Sequence, residues 1–111
     1  GQNTPEIRKL GETLVEKIDG IPVLLNTLSW SLLTDDGLKV RHLDLALKAG
    51  KRAYEGTNGM DTGMTDTYAR ALYDTGDKKK AIEIQREAIK QADEDDREDL
   101  QETLNRYLSG K

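Results

Sequence analysis

Asp66-Thr67-Tyr68-Ala69-Arg70-Ala71-Leu72-Tyr73-Asp74-Thr75-Gly76-Asp77, followed by Lys78-Lys79-Lys80 and then Ala81-Ile82-Glu83-Ile84-Gln85-Arg86-Glu87-Ala88-Ile89, is the stretch that decides how this chain folds. Tyr68, Ala69, Leu72 and Tyr73 recur at helical spacing before the Gly-Asp pair, and Ala81, Ile84, Ala88 and Ala92 do so after it. Gly76 can take the left-handed conformation that ends one helix, and Asp77 can accept from the backbone at the start of the next. The small residues Ala69, Ala81 and Ala88 let two antiparallel helices approach closely. A tight helical hairpin is expected.

Outward from it the chain is short. Its 111 residues fit one domain with one modest core. Charged residues make up 34% against 35% hydrophobic, which suits solvated helices around a narrow apolar seam. With no Phe and one Trp, the core must come mainly from Leu, Ile and Ala. A net charge of −4 argues against nucleic acid as the partner. The absence of cysteine excludes disulfide and zinc-thiolate chemistry in this segment and leaves the compartment open, cytoplasmic or periplasmic. The longest apolar run, near Ile21 to Leu25, is too short to insert in a membrane, and the opening Gly1-Gln2-Asn3 shows no signal-peptide pattern. A start without Met is expected of a piece of a longer protein or a processed one.

Along the chain, Thr4-Pro5 reads as a helix start, with Ile7, Leu10, Leu14 and Ile18 as its apolar stripe and Gly20 as its end. Pro22 opens a second helix with Leu24, Leu25, Leu28, Leu32 and Leu33 inward, stopped by Asp35-Asp36-Gly37. A third carries Leu43, Ala46, Leu47, Ala49, Gly50, Ala53 and Tyr54 and closes at Gly56. The hairpin follows from about Thr62 to Ala92, and Leu100, Leu104, Tyr107 and Leu108 mark a last helix after the acidic run from Asp93. No stretch alternates as a strand would. The fold class is all-α, with six helices.

Two registers repeat. Ala46, Leu47, Ala49, Ala53 and Tyr54 return thirty-five residues later as Ala81, Ile82, Ile84, Ala88 and Ile89. Leu25, Leu28, Ser29, Leu32 and Leu33 return at forty as Thr65, Tyr68, Ala69, Leu72 and Tyr73, which puts a longer loop near Asp35 to Lys39. The hairpin resembles a tetratricopeptide repeat, whose signature sets Leu-Gly, a large residue, then Ala and a large residue at fixed offsets. The resemblance implies antiparallel helix pairs in a short TPR-like α-solenoid: a capping helix at 4–19, one repeat at 22–56, a second at 62–92 and a capping helix at 95–109. The chain departs from the family at the usual opening Trp (Leu25 and Thr65), at the large residue of the second helices (Gly50 and Gln85) and at the closing Pro (Asn58 and Asp93). The run Leu25 to Leu33, with Arg41, Leu45, Ala46 and Asp66-Thr67-Tyr68-Ala69, is also similar to helical regions at the C-terminus of bacterial thioredoxin-like proteins.

Candidate site residues follow from the resemblance. Asn26, Trp30, Asp66, Arg70 and Tyr73, with Asp74 beside them, would face the groove of such an array. Asn26 could bond a peptide backbone there, and Arg70 could take a carboxylate. Trp30 admits two readings, an interface anchor or a residue packed against the first helix or the long loop. Asp66 and Arg70, four apart, are expected to form an ordinary helix-surface ion pair. Asp66 alternatively serves near a helix start. Other constellations carry less. The run Asp93-Glu94-Asp95-Asp96 lacks the glycine and the register of a calcium loop, and carboxylates suit a helix N-terminus without metal. Gly56, Gly59 and Gly63 lack the lysine of a phosphate loop. His42 is alone, so Arg41-His42 is expected to contact the loop or cap the third helix. No nucleophile, base and oxyanion set is present. The expected function is a non-enzymatic module, without cofactor or metal, that binds a protein or peptide partner. The alternative is an accessory or dimerisation domain of a larger, exported thioredoxin-like bacterial protein, covered by the rest of its parent chain or by a second copy.

Overall fold

The computed structural model of the protein describes residues 4–34 and 42–110, with side chains from residue 8 onward, and every regular element among them is a helix. These are α1 (Thr4–Lys17), α2 (Pro22–Thr34), α3 (Leu43–Gly56), α4 (Thr62–Asp74), α5 (Lys78–Gln91) and α6 (Glu94–Ser109). The side chains of Thr4, Pro5 and Ile7 lie outside the described residues. So do Arg41, the stop at Asp35-Asp36-Gly37 and the loop to Lys39.

The hairpin between α4 and α5 turns as its residue types dictate. Gly76 has φ of 103°, and the Asp77 N–H donates to the Leu72 carbonyl at 2.9 Å. The Asp77 carboxylate then accepts from the Lys80 N–H at 3.2 Å. The same cap is built twice more: Asp61 accepts from Met64 at 2.9 Å and Asp93 from Asp96 at 3.1 Å. Asp61, not Asp66, therefore starts α4. His42 occupies the cap position of α3 and is buried, but its side chain makes no cap bond.

Packing follows chain order. Each helix from α2 to α5 packs on the next, α2 also lies beside α4, and α1 rests on α3. In the α2–α3 pair Gly56 lies against Pro22, while the Ser29 hydroxyl donates to the Ala46 carbonyl at 2.7 Å, so the two run antiparallel. A Cβ on Gly50 would sit 2.9 Å from Ser29 Oγ and 3.5 Å from Tyr68 Cα. Three helices meet there, and only a residue without a side chain fits. The core continues through Tyr68, Ala69, Leu72, Ala81, Ile84 and Tyr107, and ends at Ala88, Ala92 and Leu100. The radius of gyration is 13.9 Å, close to the ~13 Å of a folded 100-residue domain.

Burial repeats with the sequence register. Ala46, Ala49 and Ala53 are buried and Leu47 and Tyr54 half-buried; Ala81, Ile84 and Ala88 are buried and Ile82 and Ile89 half-buried. Gly50 and its counterpart Gln85 are both enclosed. The first helix departs from expectation. Its contact face is Gly11 and Val15, with Ile18 just past its end, against Leu45 and the α2–α3 pair, so Leu10 is left 61% exposed and Leu14 is exposed as well. The reason is again close approach: a Cβ on Gly11 would lie 2.8 Å from the Leu45 side chain, so α1 turns its smallest residue inward. Arg8 spans the same contact in a two-pronged pair with Asp44 on α3.

Candidate functional site

Arg70 is at the centre of the surface formed by α2 and α4. Its guanidinium lies 5.8 Å from the centroid of the Trp30 ring, and its Nε donates to Asp74 Oδ2 at 3.1 Å. The ion pair expected with Asp66 is thus replaced by one with Asp74, a turn further along the helix. Trp30 is 43% exposed and touches a cation, so it is neither a core residue nor an unsupported one. Asn26 sits one turn before Trp30, half-buried, with its Oδ1 buried and unpartnered. Tyr73 stacks on Tyr107 of α6, ring centroids 4.4 Å apart and planes 17° apart, with Lys78 over its ring at 5.4 Å. The structure brings Trp30 and Arg70 into contact. Tyr73 joins Arg70 through a shared cleft, and Asn26 remains at the edge.

That cleft, about 170 Å³, is lined by Arg70, Tyr73, Asp74, Arg106 and Tyr107. Tyr107 is only 4% exposed, and its hydroxyl has no hydrogen-bond partner. Burial and the carboxylates of Asp66 and Asp74 hold the phenol well above its ordinary range, while Arg70 and Arg106 pull the other way. A second cleft of about 220 Å³ is lined by Thr62, Gly63, Asp66, Asp96, Asp99 and Leu100. Burial raises the Asp66 carboxyl above its usual range, against the Gln85 amide and the charges of Arg70 and Arg106. Asp96 is raised too, by Asp93 first, then by slight desolvation and by Asp95 and Asp99. Gln85, fully enclosed, donates to the Leu100 carbonyl at 3.1 Å and ties α5 to α6 beneath this cleft.

Sequence reasoning missed Arg106 and Tyr107. It read Tyr107 only as part of an apolar face and treated α6 as a cap. The available signal was Tyr107 itself, whose hydroxyl needs a polar neighbour even when the ring is buried. Among the described residues no group of three His, Cys, Asp or Glu side chains is placed to hold a metal ion, and no helix is long and apolar enough to cross a membrane. Compared with protein-family models, with curated proteins and with solved structures, the chain matches none of them.

Proposed function

We propose that the chain is a non-enzymatic interaction module, a short tetratricopeptide-like array that binds a peptide or helix of a partner protein along the surface of α2, α4 and α6. The observation that carries this reading is the contact of Trp30 with Arg70. These residues hold equivalent positions, forty apart, on two helices that lie side by side. Side-by-side first helices with their partners behind them are the arrangement a helical-repeat groove requires. The recurrence of buried Ala positions between α3 and α5 supports the same reading, as does the polar outer face of α6 (Glu94, Arg97, Glu98, Gln101, Glu102, Asn105) for a terminal helix.

Arg70→Glu would place a third carboxylate beside Asp66 and Asp74, so Arg70→Gln is the cleaner probe. The test is capture of partners from a lysate of the source cells by wild type, Arg70→Gln and Trp30→Ala. Partners recovered by wild type should be depleted with both variants. Equal recovery by all three would remove the groove reading.

A second reading is favoured by one observation. Ile21 just before α2, Val23 and Leu24 in its first turn, and Leu10 on α1 are large apolar side chains left exposed, Val23 at 65%. They suit an accessory or dimerisation domain of a larger protein, of the exported thioredoxin-like bacterial kind. Sedimentation equilibrium separates the two: concentration-dependent dimers abolished by Val23→Glu would favour dimerisation, and a monomer throughout would discard it.

A further inference from the structure

The groove between α4 and α6 carries opposite charge at its two ends. Low-numbered residues of both helices, Asp66, Asp96 and Asp99, share one cleft, and high-numbered residues, Arg70, Arg106 and Tyr107, share the other. The helices therefore run parallel along the groove. Among the described residues the first cleft has three carboxylates and no cation. In the second, Asp74 engages Arg70 through its Nε, and Arg106 makes no ion pair among the described residues, so the cleft is net positive. The lining residues of the two clefts are on average about eight positions apart on each helix, or about 12 Å.

Buried polar atoms lie beneath both ends. Tyr107 lines the basic cleft, and its buried hydroxyl has no hydrogen-bond partner; Gln85 Oε1, enclosed below Asp66 and Leu100, has none either. Groups so buried are nearly always paired.

We infer that this groove takes an extended, bipolar peptide segment, with a Lys or Arg side chain in the acidic cleft and an Asp or Glu carboxylate in the basic one. Cavities of about this size hold one side chain each, since about 150 Å³ encloses a benzene. A helix would span the same ~12 Å only between residues i and i+8, two turns apart, so the extended form sets the shorter spacing. On an extended chain residues i and i+4 project from the same face and span about 13 Å, which matches the separation. The ligand is thus a cation and an acid four residues apart. The inference rests on the groove reading and narrows it to one class of peptide.

The test uses the full chain, labelled with ¹⁵N, titrated with three synthetic Ser/Thr-rich peptides of equal length. One carries Lys and Glu four residues apart, one carries them adjacent, and one carries neither. The spaced peptide should bind about tenfold tighter than the other two, moving amides at Asp66 and Asp99 and also at Arg106 and Tyr107. Arg106→Gln, at an exposed position, should reduce it to the level of the adjacent-charge peptide. Equal affinity for spaced and adjacent charges, or shifts confined to one cleft, would overturn the bipolar assignment. In that event shifts along α2 and α4 common to all three peptides would leave the groove reading standing. No shift on α2, α4 or α6 with any peptide would overturn the inference, and the capture experiment with Arg70→Gln would still decide the groove itself.

Discussion

Gly50 shows how much one missing side chain decides. In most helix interiors Gly to Ala stabilises by about 1 kcal/mol. Here the new Cβ would lie 2.9 Å from Ser29 Oγ and push the hydroxyl off the Ala46 carbonyl. Gly50→Ala should therefore cost about 1–2 kcal/mol in urea unfolding, because the overpacking and the lost buried hydrogen bond outweigh the propensity gain. In a Ser29→Ala background the same change should be neutral or stabilising. Additive effects across the double-mutant cycle would show that the two sites do not touch. At this scale the sequence was partly legible. It placed Gly50 on the inner face of its helix, but nothing in its neighbours along the chain names Ser29 and Tyr68 as the atoms that exclude a Cβ.

Between elements, α3 and α5 are tied by Tyr54. Its phenol donates to Glu87 Oε1 at 2.6 Å, its ring packs on Tyr68 at 4.9 Å, and Gly59 closes over it. The bond to Glu87, aided by burial, pushes the phenol from its ordinary 10.0 up to about 12. The folded state thus holds this proton more tightly than the unfolded chain. The contribution is fully present below pH 10.0 and is lost as the pH climbs from there through about 12. Wild type should lose stability over that window more steeply than Tyr54→Phe, as read by urea midpoints at successive pH values. Identical slopes would mean that Glu87 does not hold the proton. The helices themselves were legible: α2 begins at Pro22, α3 ends at Gly56, and Gly76 and Asp77 turn α4 into α5. Their mutual rotations were not. The expected face of α1 ran through Leu10 and Leu14, whereas Gly11 and Val15 face the core.

Over the whole molecule, support is uneven. Helix α4 has α2 and α3 on one side and α5 on the other, while α1 rests on α3 mainly through Gly11, Val15 and the Arg8–Asp44 pair. That pair is exposed, and such pairs add little. Local opening should follow the same order. Amide hydrogen exchange is expected to be slowest in α4, near Tyr68 to Leu72, and fastest among the helices in α1. Exchange of α1 at the rate of α4 would show that the chain opens only as one unit.

The sequence by itself determined what is encoded locally. Apolar spacing near 3.6 residues made every element a helix, and Asp77 marked the start of α5 because a carboxylate beside free backbone N–H groups needs no distant partner. That Asp61 and Asp93 cap α4 and α6 in the same way came from the structure. It also put Asn26, Trp30, Asp66, Arg70 and Tyr73 on equivalent faces of two helices. Only the tertiary structure decided which of them interact. Arg70 had carboxylates one turn away on both sides, and local spacing cannot choose between them. In the folded protein it pairs with Asp74 and reaches across to Trp30. The apposition of Arg106 and Tyr107 to α4 belongs to the same class: they lie more than thirty residues from Arg70 in the chain, and packing of α6 through Tyr107 brings them alongside it.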